Sequence, residues 1–195
     1  PVVGETQDEV AWAFLGSSLV EEGQPISWSF FDAYDPDYIY ERRDGGEHKE
    51  APLVRPVLDH PPLFSLLPGV FHSLKTEWRE FPSIKVIRFP LVLLGVLNVG
   101  LLFFVARKYL KSDNWAYLAT LIYATVPTFV FASRLVVAEN LIITWSLLAL
   151  LVLGTNKIKH QGWWLSLIGI LAGLTKLSGL GVPLSIFVFG LKYMD

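Results

Sequence analysis

Three uncharged stretches dominate the second half of the chain: Phe89 to Ala106, Asn114 to Ser133 and Asn140 to Asn156, of 18, 20 and 17 residues. A helix needs about 20 mostly apolar residues to cross a bilayer, so each stretch reads as a membrane span. A further stretch from Gln161 to Leu191 is interrupted by Lys176 and then by Ser178-Gly-Leu-Gly-Val-Pro183, and reads as a helix, a break and a partial return. Pro90 near the start of the first span and Pro127 inside the second begin or kink their helices, because each removes a backbone donor. Membrane helices tolerate this when neighbours satisfy the freed carbonyls. Gly169-Ile-Leu-Ala-Gly173 has the GxxxG spacing that lets another helix approach closely, and plain packing is its ordinary meaning.

Residues 1–80 pattern differently. Thr6-Gln-Asp-Glu9 fits a helix capping box, followed by an amphipathic run in which Val10, Phe14, Leu15 and Leu19 share a face until Gly23 stops it. That helix is expected to lie along the membrane surface. Phe30 to Pro56 is polar and rich in tyrosine and acids, with Gly45-Gly46 at its centre, and reads as a long surface loop. Its Asp32-Ala-Tyr-Asp35-Pro-Asp37 spacing only vaguely suggests a calcium loop and is better read as solvated turn acids. Asp59-His-Pro-Pro-Leu63 then precedes a short surface helix over Phe64 to Leu74, with proline in its first turn.

Composition sharpens the division. At 52% apolar residues and a mean hydropathy of +0.45, the chain is too greasy for an ordinary soluble enzyme of 195 residues. The net charge of −2 hides a split: residues 1–80 hold fifteen acids and six bases, residues 81–195 three acids and ten bases. Near-neutral charge argues against nucleic acid as a partner, and the absence of cysteine excludes disulfides, thiolate metal sites and cysteine nucleophiles. No P-loop, GxGxxG, HExxH or GxSxG pattern occurs. Short cytoplasmic loops are enriched in Lys and Arg. Arg107, Lys108 and Lys111 follow the first span and Lys157 and Lys159 follow the third, so both loops are expected in the cytoplasm and the first eighty residues outside it. The expected architecture is an all-α polytopic membrane protein: an extracytoplasmic loop of interfacial helices over residues 1–83, then a region of four to five spans over 84–195. The chain opens on Pro1 and stops just after an apolar run, as expected of a piece of a longer protein.

The acids and bases expected on the extracytoplasmic face are the candidate chemistry: Asp8 and Glu9 at a helix start, Asp59 and His60 before a proline pair, Arg134 and Glu139 in a short turn, and Lys176 near a span end. Ionisable groups at membrane depth are costly and point to function. Each also has a structural reading. Asp8 and Glu9 suit a helix dipole, Asp59 a helix cap, Arg134 a headgroup, Glu139 the cap of the next span, and Lys176 the interface.

In order and spacing, Asp8-Glu9, the amphipathic helix ending in Glu-Gly, Asp59-His-Pro-Pro-Leu63, Arg88-Phe-Pro-Leu-Val, Ser133-Arg134 with Glu139-Asn140, and Gly173-Leu-Thr-Lys176 resemble the N-terminal part of the GT-C glycosyltransferases. The protein mannosyltransferase and aminoarabinose transferase branch is the most similar. The likeness covers nearly all of the chain except residues 30–56. It implies an integral protein of the plasma membrane or endoplasmic reticulum that takes a sugar from a polyprenyl- or dolichyl-phosphate carrier and passes it to a protein, lipid or glycan acceptor outside the cytoplasm. By the resemblance Asp8 is the catalytic base with Glu9 beside it, and Asp59, His60, Arg134, Glu139 and Lys176 surround the donor phosphate and acceptor. A base must accept the acceptor's hydroxyl proton as the oxygen attacks the anomeric carbon, and one such displacement inverts that carbon. Cations or a divalent metal must neutralise the departing phosphate. The chain departs from the aminoarabinose branch at Ala11, where that branch has arginine, and at His60, where it has lysine. Histidine carries only part of a lysine's charge at neutral pH. In isolation the piece is expected to be inactive. The competing reading is a non-catalytic or transport membrane protein whose acidic loop binds a substrate or partner.

Overall fold

The computed structural model describes residues 7–29, 40–44, 46–51, 53–155 and 160–192. The chain divides into two compact units: residues 1–91 with 135–137, and residues 92–134 with 138–195. The described residues are predominantly helical, with one small hairpin. Thr6 of the capping box and the acids between Asp32 and Asp37 lie outside the described residues.

In the first unit, α1 runs Gln7–Glu22, with Asp8 and Glu9 in its first turn where the helix dipole favours acids. It ends where the sequence pattern puts its end. Gly23 takes φ 69° and its N–H reaches the Leu19 carbonyl at 3.2 Å, a glycine helix stop. The amphipathic surface helix is not what forms, because almost every residue from Glu9 to Ser18 is buried. Val10 and Phe14 join Ile26, Leu53 and Trp78 in a core, while Ser17 and Ser18 hydrogen-bond locally to backbone carbonyls on the same helix. Ser18 Oγ also accepts the N–H of Ile26 at 2.9 Å, fixing the returning chain beside the helix.

The short helix α2 spans Leu66–Ser73, later than the Pro61-Pro62 pair, and the proline in its first turn is Pro68. It crosses α1 backbone to backbone. A Cβ on Gly69 would lie 2.2 Å from the Gly16 carbonyl carbon, and one on Gly16 would lie 1.8 Å from the Ser65 carbonyl oxygen. Gly69→Ala should therefore push the helices apart and cost about 3 kcal/mol, the upper end of overpacking penalties, because backbone cannot rotate away as a side chain can. Gly100→Ala, at an exposed helical position with open space around it, should leave the melting temperature at wild type or a few degrees above it. Equal melting of the two variants would refute the close crossing.

The region read as a long loop contains an antiparallel hairpin, β1 (Tyr40–Asp44) and β2 (Glu47–Ala51), turning at Gly46 with φ 87°. Its charged strands lack the alternation that marks a half-buried sheet. The other edge of β1 is held by Arg43 N–H to the Arg79 carbonyl, 2.9 Å, and Phe81 N–H to the Arg43 carbonyl, 2.8 Å.

His72 on α2 is buried, edge-on to Phe14, with Nδ1 3.2 Å from Thr76 Oγ1. Desolvation is the largest influence and pushes its pKa below 6.5, against opposing contributions from the backbone at Trp78 and Glu80 and from the Glu21 and Glu80 carboxylates. The unfolded chain thus binds this proton more readily than the folded one. The stability that depends on neutral His72 is full above about pH 6.5 and is lost as pH falls toward the lower folded value. Melting curves at pH 8 and pH 5.5 should show a drop that shrinks in His72→Gln. An identical drop in both proteins would rule this histidine out as its source.

The helix α3 spans Ile84–Leu110 and contains Pro90; its residues from Val92 onward belong to the second unit. It is the one described helix long and apolar enough to cross a membrane. The stretch read as a second span is two helices, α4 (Asp113–Thr125) and α5 (Pro127–Ala132). Val126 between them is extended, φ −65° and ψ 121°, as the residue before a proline is driven to be. Helices α6 (Glu139–Leu153) and α7 (Gln161–Thr175) follow, then a 3-10 turn, Leu177–Leu180, and α8, Gly181–Lys192. The break expected at Ser178 begins at extended Lys176, φ −165°.

Within this unit a buried polar cluster ties α3 to α6. Thr144 Oγ1 donates to Asn98 Oδ1 at 2.8 Å, and Asn98 Nδ2 donates to the Asn140 carbonyl at 3.1 Å. Asn140 Nδ2 in turn satisfies the Ala132 carbonyl at the end of α5, 3.0 Å. The GxxxG spacing serves packing: Cβ atoms at Gly169 and Gly173 would sit 3.0 Å from Pro183 and 3.1 Å from Leu180.

Candidate functional site

Successive helical residues point about 100° apart, so adjacent acids on α1 meet different surroundings. Glu9 points inward and is fully buried, whereas Asp8 is exposed. A buried carboxylate needs a partner and filled lone pairs. Glu9 Oε1 accepts from Arg88 Nε at 2.8 Å and from the backbone N–H of Val136 at 3.0 Å, while Oε2 accepts from Arg88 Nη2 at 2.7 Å. This two-pronged guanidinium geometry is the strongest form of such a pair. Asp8 makes no ion pair or hydrogen bond among the described residues. Its helix is held firmly while its carboxylate stays open, which suits an acceptor of protons from an incoming group.

Trp12 lies one turn beyond Asp8, on the same stripe of α1. His60, exposed, stacks on the Trp12 ring with centroids 4.9 Å apart and planes at 26°, and Phe64 meets that ring edge-on at 5.1 Å. Asp59 does not cap α2, whose N-cap is Ser65; its carboxylate accepts the Ser29 hydroxyl. The structure thus seats the Asp59-His60 corner on the stripe that carries Asp8.

In the second unit Lys176 Nζ meets Glu139 Oε1 at 2.5 Å, an exposed pair joining the start of α6 to the break after α7. Glu139 is the first residue of α6, and no side chain caps that helix. Exposed Arg134 lies over the Phe131 ring, 4.9 Å from its centroid. Among the described residues no three or more His, Asp or Glu converge as a metal site would require.

The residues that sequence reasoning missed are Arg88 as a site component and the N–H of Val136. Arg88 carried a signal: an arginine in the first turns of a long apolar helix is expensive unless paired. A backbone donor carries none.

The family model for dolichyl-phosphate-mannose-protein mannosyltransferases matches residues 59–190, from Asp59 through Arg88, Arg134, Glu139 and Lys176. That match begins after Asp8 and Glu9. No curated protein and no solved structure matches the chain. With two thirds of its length under that family model, and with the long apolar helix α3, the chain belongs to the dolichyl-phosphate-mannose-protein mannosyltransferase family, membrane glycosyltransferases that draw on a polyprenyl-phosphate sugar.

Proposed function

We propose that the protein is an inverting glycosyltransferase in which Asp8 is the base. The observation that carries this reading is the contrast on α1: Glu9 buried and fastened to Arg88 and Val136, Asp8 beside it and open. Asp8 takes the proton of the acceptor hydroxyl as its oxygen bonds to the anomeric carbon. The bond from that carbon to the phosphate oxygen breaks, its electron pair leaves with the lipid phosphate, and the carbon is inverted. Glu9 acts as a positioning residue that fixes the direction of Asp8. The developing phosphate charge must fall to cations, and His60 in the first unit and Arg134 and Lys176 in the second are the candidates that the resemblance supplies, Asp59 standing next to His60 and Glu139 pairing with Lys176.

The same reading makes the second unit polytopic, with the first eighty residues outside the cytoplasm and the lipid tail of the donor along apolar helix faces. Supporting it are large apolar side chains left bare on several helices, among them Val96 at 68%, Leu121 at 59% and Leu184 at 64% exposure. Water penalises so much open apolar surface and acyl chains do not. Native mass spectrometry of the protein drawn from its own membrane in mild detergent tests the donor. A bound polyprenyl phosphate or its sugar ester is expected, and ordinary phospholipid alone would favour a binding or transport role.

A further inference from the structure

Three of the seven tryptophans are exposed, and all three lie at one end of the second unit: Trp115 at 61%, Trp163 at 79% and Trp164 at 52%. Trp115 opens α4, two residues after the start of that helix, and α4 itself begins just after α3 ends at Leu110. Trp163 and Trp164 open α7. The ends are joined by direct bonds. Lys108 Nζ donates to Thr155 Oγ1 at 2.6 Å, Tyr109 OH to the Leu150 carbonyl at 2.9 Å, and Gln161 Nε2 to the Val152 carbonyl at 2.8 Å. The C-termini of α3 and α6 and the N-termini of α4 and α7 therefore share one end.

Charge follows the aromatics. Arg107, Lys108 and Lys111 stand here against a single described acid, Asp113, which pairs with Arg107 Nε at 2.8 Å and leaves the rest of that guanidinium exposed. Lys111 is exposed with no ion pair among the described residues. Arg134, Glu139 and Lys176, at the opposite helix ends, leave only one net positive charge, with Lys176 already paired. Indole and phenol rings favour the boundary between acyl chains and headgroups, while lysine and arginine reach outward to phosphate. Bare apolar residues such as Phe104 and Ile170, 57% and 60% exposed, continue along the same helices.

We propose that this end is a docking girdle for anionic phospholipid headgroups, with Arg107 and Lys111 on the phosphates and Tyr109, Trp115, Trp163 and Trp164 at the acyl boundary. The partner is the anionic leaflet itself, and the proposal is independent of sugar transfer. The exposed tryptophans supply the probe. The protein is reconstituted in phosphatidylcholine bilayers containing phosphatidylglycerol, with one or the other lipid brominated near the headgroup, and tryptophan quenching is read at equal mole fraction. At low salt phosphatidylglycerol should be enriched at the protein about five-fold or more, and this should fall toward unity in 0.5 M salt, roughly the behaviour of several clustered cations. Arg107→Gln with Lys111→Gln should bring the enrichment down most of the way to unity, and Lys111→Gln alone, which breaks no described ion pair, should lower it about two-fold. Equal quenching by both lipids, quenching by neither, or enrichment unmoved by these substitutions would overturn the proposal.

Discussion

Asp8→Asn should lower the rate of sugar transfer about 10²- to 10⁴-fold, the usual contribution of a positioned general base. The substitution preserves shape and removes only the capacity to take a proton. Because Asp8 is exposed and bonded to no described group, melting temperature and donor binding should stay close to wild type. The loss should therefore lie in kcat, with the KM for the lipid-linked donor little changed. Measurement of both parameters on the whole protein, purified from its own membrane in mild detergent, checks this. Full transfer by Asp8→Asn would remove Asp8 from the role of base.

The second large effect is on stability. Arg88→Met should destabilise the first unit by about 3–5 kcal/mol, because it strands the Glu9 carboxylate in a site where it has no exposure to water. Glu9→Gln should also be costly, since an amide turns a donor toward the guanidinium that both carboxylate oxygens now accept from. The double variant Glu9→Met with Arg88→Met should recover much of the loss, as paired charges replaced together by apolar groups often do. A double-mutant cycle on unfolding free energies reads the coupling, and additivity within about 0.5 kcal/mol would show that the pair does not act as a unit.

Much of the helical architecture was legible because composition alone forces it. An uncharged run such as Phe89 to Ala106 has few other outcomes, and Gly23 ends α1 because only glycine takes its positive φ without strain. The break at Val126 was half legible. Pro127 announced a kink, but whether the chain bends or starts a new helix depends on how neighbours treat the freed carbonyls. The hairpin at residues 40–51 was not legible, because its strands are charged on both faces and its edge partner, Arg79 to Phe81, comes from far along the chain.

At the site, the resemblance named Asp8 as the base with Glu9 beside it, but the residues alone did not say which of the two is buried. Which acid turns inward is decided by Arg88, 79 residues later, and by the N–H of Val136, 127 residues later. No local pattern encodes partners at that separation. The stacking of His60 on Trp12 was equally hidden, since Trp12 reads from sequence as one more apolar residue of α1.

The most direct test of the central claim is a single-turnover reaction of the membrane-embedded protein with a polyprenyl-phosphate sugar of defined anomeric configuration, with the product configuration read by NMR. Consumption of the donor with inversion at the anomeric carbon, abolished in Asp8→Asn, is the expected result. Retention of configuration, or no consumption of any polyprenyl-phosphate sugar by the folded protein taken whole from its own membrane, would contradict it.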